Sequence, residues 1–221
     1  MLKDVVNGKE SIESIFLRLK VILTDLHNEA IMEWVNGELK GYNDSKVPEY
    51  RRLTGRLAGD YIVNHHAKYT DAVVPLIGLL PSEEIDRFRL LEVDMSIGAI
   101  QNLLNGENRE NLSKIIPTEI CHAISTDEIQ ILGMNARFAS TQLDEIVSNV
   151  KAKLVEIVME LEKQFENLDD LDIKDQVENS ASKKEKVTVN IEQIIYGDSI
   201  EVGDKNKINK SRLGLFGGGR Q

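Results

Sequence analysis

The chain has 221 residues, 41% hydrophobic, 29% charged and only 5% aromatic, a balance that suits one substantial core or a core with a small appendage. Its formal net charge of −10, from 27 basic and 37 acidic side chains, repels nucleic-acid backbones and anionic membranes wherever no local basic patch overrides it. A single cysteine, Cys121, excludes an intrachain disulfide and a multi-cysteine zinc centre and fits a reducing compartment.

Met1 to Gly8 carries no apolar stretch of signal-peptide length. Ser11 is placed to cap a first helix, in which Ile12, Ile15, Phe16, Leu19, Leu23 and Leu26 recur at three- and four-residue steps. A second helix is expected from Asn28 to Lys40, burying Ile31, Trp34, Val35 and Leu39 and stopping at Gly41. The pair reads as a helical hairpin with Trp34 as its anchor. From Tyr42 to Leu80 the helical period disappears, and Pro48, Gly55, Gly59, Pro75 and Gly78 punctuate short stretches such as Arg51–Thr54 and Tyr61–Val63. This insert is either a small irregular sheet or a packed loop. The apolar run Val73–Leu80, broken by Pro75 and Gly78, falls well short of the roughly 20 residues of a membrane span. A soluble, cytoplasmic protein is expected.

Pro81-Ser82-Glu83-Glu84 starts a helix with Ser82 as cap. Helical spacing runs through Ile85, Phe88 and Leu91 and again through Ile97, Ile100, Leu103 and Leu104, ending at Gly106. Pro117 opens a short helix through Ile120 and Ile124. Ser140 or Thr141 then caps a long helix in which Leu143, Val147, Val150, Leu154, Ile157, Leu161 and Leu168 alternate in four- and three-residue steps, with Gln164 in the one polar slot. That seam either packs into the chain's own bundle or forms an intermolecular coiled coil. Residues 160–179 hold eight acids against Lys163 and Lys174, and 169–186 reads as a solvated polar linker. In the segment 187–210, Val187, Val189 and Ile191 alternate as a strand. An apolar residue, Gly and Asp then return after six positions, at Tyr196-Gly197-Asp198 and Val202-Gly203-Asp204, with Ile208 next. Six residues is the period of a β-solenoid rung. The segment either stacks on copies from other chains or folds as a hairpin with Gly-Asp turns, and 211–221 is a flexible end.

The block Trp34-Val35-Asn36-Gly37-Glu38-Leu39-Lys40-Gly41-Tyr42, followed by Val47-Pro48-Glu49-Tyr50-Arg51, resembles the signature of the AbiTii domain, a bacterial family associated with abortive infection and other conflict systems. The resemblance extends over residues 8–168: the Gly-rich insert lies where the family places one, and Val150–Leu154 with Glu160–Glu162 looks like its closing helix. It implies a component of antiphage defence and brings no established catalytic motif.

Several constellations could carry chemistry. His65 and His66, with Asp60 nearby, suggest a nuclease or nucleotide hydrolase, but neighbours on a strand point to opposite faces and do not share a metal. Cys121-His122 suggests a thiol and its base, yet adjacent helical residues diverge. Arg51, Arg52 and Arg56, with Lys68 and the interleaved Tyr50, Tyr61 and Tyr69, form the best basic patch for a nucleotide or single strand, although Arg51 equally suits pairing with a local carboxylate. Gly197-Asp198 and Gly203-Asp204 fit assembly better than calcium binding.

The reading is therefore a mainly α (α+β) chain: a helical domain with a small β or irregular insert, a long C-terminal helix and a short β-forming tail. Its expected function is non-enzymatic binding and oligomerisation in antiphage defence, with no cofactor or metal. The recognition surface would hold Trp34, Tyr42, Tyr50, Arg51, Arg52 and Arg56. Leu154, Leu161, Tyr196, Val202 and Ile208 would carry self-assembly into a homo-oligomer, with a phage or defence-system protein as a further partner. Membrane is excluded and nucleic acid disfavoured.

Overall fold

The computed structural model describes residues 2–7, 10–43, 46–107, 109 and 112–197. Helices α1 (Leu2–Asn7), α2 (Ile12–Thr24) and α3 (Glu29–Lys40) open the chain. Ser11 caps α2, its hydroxyl accepting from Ser14 N–H, and Asn28 caps α3, its side chain accepting from Ile31 N–H. Gly41 ends α3 at φ 92°, a left-handed value that a side chain would resist. After a 3₁₀ turn (Glu49–Arg51) come β1 (Arg52–Thr54), β2 (Arg56–Val63) and β3 (Ala67–Val73).

The chain continues through α4 (Ser82–Arg89), β4 (Leu90–Glu92), α5 (Ile97–Asn105), β5 (Ser113–Ile116), α6 (Thr118–Ile124) and β6 (Ile129–Arg137). It closes with α7 (Ser140–Gln164), α8 (Lys174–Glu178) and α9 (Ala181–Tyr196). Ser82 and Ser140 are first helical residues; Pro81 and Ala139 hold the cap positions, and Gln142 Oε1 accepts from Ala139 N–H. Leu91, expected in a helix, lies in β4. The insert does form a sheet, but not alone: β1 pairs antiparallel with β4, and the four-stranded antiparallel sheet has the order β3-β2-β6-β5.

The seam of α7 packs inward. Leu143, Val150, Leu154, Ile157 and Leu161 are fully buried against α1, α5 and α9, so the chain's own bundle consumes the face that a coiled coil would need. Leu154 and Leu161 are therefore core residues, with no apolar surface left to offer a second chain.

The strand expected at Val187–Ile191 is helical. Val187, Ile191 and Ile195 fall four residues apart, and all three are buried where α9 packs on α7 and α3. Their two-residue and four-residue periods coincide at Val187 and Ile191; Val189, 45% exposed, breaks the strand reading. The linker expected at 169–186 is likewise structured, with Ile173 and Val177 buried in the same core. Val202 and Ile208, the repeat beyond Gly197, and the expected flexible end at 211–221 lie outside the described residues. Among the described residues, no helix is long and apolar enough to cross a membrane.

The helical assignment gives a discriminating test. Ile191→Ala should cost about 3 kcal/mol in urea denaturation, whereas Val189→Ala should change stability by less than about 0.5 kcal/mol. Equal losses at both positions would restore the strand.

Candidate functional site: a sealed ion pair under the Trp34–Arg51 block

The Trp34–Arg51 block is built around a residue pair that is rarely found inside a protein. Glu38 and Arg51 are both fully buried. The guanidinium meets the carboxylate through two parallel bonds, Nε to Oε1 at 2.9 Å and Nη2 to Oε2 at 2.5 Å. Oε1 also accepts from the hydroxyls of Tyr42 at 2.9 Å and Tyr50 at 2.6 Å. Nη1 of Arg51 donates to the carbonyls of Val93 at 3.0 Å and Met95 at 2.8 Å. Trp34 Nε1 donates to the Tyr50 oxygen at 2.8 Å. Lys153 from α7 approaches the Tyr50 ring at 5.6 Å and donates to the Ile194 carbonyl in α9 at 2.5 Å.

The backbone prepares this arrangement. Trp34 and Glu38 lie four residues apart on the buried face of α3. Gly37 gives the Tyr42 ring its place, since a Cβ there would come within 2.4 Å of it. The turn at Gly41 lets Tyr42 N–H reach the Asp94 carbonyl at 2.7 Å, and the Arg51 guanidinium sits 5.0 Å over the Tyr42 ring. Burial, reinforced by the Glu38 carboxylate, pushes both tyrosine hydroxyls far above their ordinary range.

Of the expected recognition residues, Trp34, Tyr42 and Arg51 are thus interior, and Tyr50 is mostly covered. They meet one another rather than a ligand. The three arginines go separate ways. Arg52 bridges Glu49 at 3.0 Å and Glu92 at 3.1 Å beside the small β1–β4 sheet, while Arg56 stands exposed at the start of β2. Tyr61 and Tyr69 stack with centroids 5.0 Å apart, on the sheet face opposite to Arg56. Basic and aromatic groups therefore do not interleave on one surface. Of the assembly residues, Tyr196 anchors the end of α9 through a bond to the Ala30 carbonyl at 2.9 Å.

His65 and His66 sit in the β2–β3 turn. Both are exposed, and Asn64 and His65 take left-handed φ of 50° and 59°. Asp60 lies further down β2 at a bulge, where its carboxylate accepts from Asp71 N–H at 2.8 Å. Among the described residues no three His, Cys, Asp or Glu side chains converge into a metal-sized group. Cys121 is buried and burial raises its thiol pKa, while His122 is exposed. The two do not form a pair.

Glu38 is the central residue that the sequence reading passed over. Its signal was legible: an acid at a position where the apolar period of α3 demands a buried side chain.

Two tests follow from the cluster. Glu38→Gln should cost about 3–5 kcal/mol by leaving a buried guanidinium short of its counter-charge, and Glu38→Leu with Arg51→Met should recover much of that loss. The tyrosines set a base limit. Their ionisation is suppressed in the folded chain but free in the unfolded one, so stability is intact below pH 10 and falls above it. The slope is about 1.4 kcal/mol per pH unit for each tyrosine. Tyr42→Phe or Tyr50→Phe should flatten the decline measured by urea titration between pH 9 and 11.

Neither the curated proteins nor the solved structures yield a match. The sequence profile of the AbiTii family matches residues 1–187. That span includes the whole Trp34–Arg51 block, the sheet, α7 and the first half of α9, and the chain belongs to the AbiTii family.

Proposed function

We propose that this chain is a non-enzymatic binding and assembly module of a bacterial antiphage defence system. Family membership points to an abortive-infection-type setting; the mechanism is our reading. The observation that carries it is the sealing of the Glu38 cluster. Both Glu38 oxygens and all three Arg51 nitrogens bond to another member or to the backbone, as in a scaffold rather than a reaction centre. The cluster fixes the frame, and recognition falls to the surfaces that the frame presents.

Assembly is supported by the tail sequence. Tyr196 belongs to α9, so the six-residue return leaves Val202-Gly203-Asp204 and Ile208 beyond the helix, and a repeat that short would bury a face only against neighbouring copies. The described chain delivers that segment from a fixed point, because α9 is bound up to its last residue. Glu192 accepts from Asn28 Nδ2 at 2.6 Å, Lys153 donates to the Ile194 carbonyl, and Tyr196 donates to Ala30.

Light scattering on the full chain and on a chain ending at Gly197 tests this. The cut must fall beyond Tyr196, since an earlier one removes Val187, Ile191 and Ile195 from the core. A multimer that loses mass on truncation is expected, and a monomer in both cases would refute assembly. Nucleotide or nucleic-acid turnover abolished by His65→Ala and His66→Ala would replace the module with an enzyme.

A further inference from the structure

The outer face of the four-stranded sheet exposes Arg56, Val73, Ile115 and Arg137. The inward face of β2 and β6 supplies Leu57, Tyr61, Ile131, Met134 and Ala136 to the core. The register places their neighbours outward in rows. A basic row holds Arg56 and Arg137. A central row runs across the four strands through Val73, Ala58, Asn135 and Ile115, with exposed apolar side chains at its two edge positions and Ala58 fully buried between them. An acidic row holds Asp60, the neighbouring Asp71 and the side-chain-free Gly133. Val73 is 52% exposed and Ile115 79%, with Leu132 at 44% on the bulge beside them. Exposed apolar residues framed by charge mark a protein-contact surface.

We propose that this face pairs with the same face of a second copy of the chain. The proposal rests on the assembly reading above and assigns it a surface. Its basis is self-complementary charge. Arg56 and Asp60 lie on one strand, two residues to either side of Ala58, or about 7 Å each way. A twofold axis parallel to the sheet plane along this central row turns the strands end for end. Each copy's Arg56 then lies over the other's Asp60, twice per dimer.

The same operation sets Val73 against Val73 and Ile115 against Ile115, in the aligned manner of packed sheets. The second copy's Arg137 falls over Gly133, where a Cβ would meet nothing within 4 Å, so there is room for it. Within one chain Arg137 pairs with Asp71 and one Asp60 oxygen accepts from Asp71 N–H, so Arg56 and the other Asp60 oxygen are the groups offered to the second copy. The face bears no aromatic side chain on which a nucleic-acid base could stack. At four strands by about six residues it offers on the order of 400 Å² per copy, about half of a standard interface. The pairing is accordingly weak and concentration-dependent by itself.

Sedimentation velocity on the full chain, from micromolar to submillimolar concentration, reads the pairing directly. Weight-average mass should climb with concentration, by up to twofold over its value at the dilute end. Arg56→Asp or Asp60→Arg alone should abolish the climb by placing like charges together. An equimolar mixture of the two variants should restore it, because each reversed charge then meets its complement; a purely structural role for either residue predicts no rescue. Ile115→Lys, at a site that supports no core, should also abolish the climb and decides the matter if Asp60→Arg fails to fold. If the parent multimerises and Ile115→Lys and the charge variants do so equally, the pairing is refuted while assembly stands. A parent that stays monomeric throughout refutes both.

Discussion

Taking Glu38 and Arg51 out of water is the constraint on which the rest of the structure depends. The effective penalty for burying each ion is several kcal/mol, and mutual attraction offsets it only when geometry is good and the remaining lone pairs and protons find partners. This chain meets those terms by importing polar groups from separate elements: two hydroxyls from the α3–β1 connection, and two carbonyls from the stretch between β4 and α5. The pair therefore does more than hold two side chains. It fixes the path of the connection after α3 and ties β4 to the helical hairpin. The small β1–β4 sheet stands directly on this tie, since Val93 N–H bonds to the Arg51 carbonyl.

How much of this could be read in advance depends on whether one period dominates locally. The faces of α2 and α3 were plain, because apolar residues recur every three or four positions and Ser11 and Asn28 cap them. The central strand β6 was missed because its alternation is interrupted. Ile129 and Ile131 keep step, but the extra residue at Leu132 moves the buried set to Met134 and Ala136. Two half-strands offset by one position look like no strand at all. At α9 the opposite failure arose, since Val187, Val189 and Ile191 satisfy a period of two. Only Ile195 and the partners waiting on α3 and α7 select the helix.

The candidate site shows the same limits. The block was recognisable as a unit, and the possibility that Arg51 pairs with a local carboxylate was visible in its composition. Which carboxylate could not be read from spacing alone, because Glu38 is separated from Arg51 by a glycine turn and a 3₁₀ turn. Both reverse the chain in ways that hydrophobic periodicity does not encode. Residues that looked like an accessible row, Arg51, Arg52 and Arg56, were parted by that geometry into an interior, an edge and an outer face.

A sealed cluster also narrows where function can reside. A catalytic carboxylate needs a free lone pair, and a binding arginine needs a donor facing a cavity; Glu38 and Arg51 direct theirs at each other, at tyrosines and at the main chain. The cluster's influence must then pass through position rather than contact. Lys153 shows one such route, since a single half-buried ammonium touches the Tyr50 ring on one side and the last turn of α9 on the other. An ammonium there complements the helix dipole and stabilises the C-terminal turn from which the chain continues. Core and exit point are thus set by the same group. A buried polar cluster of this kind decides how precisely the surfaces around it are presented, because the elements that carry them are all tied to the same pair.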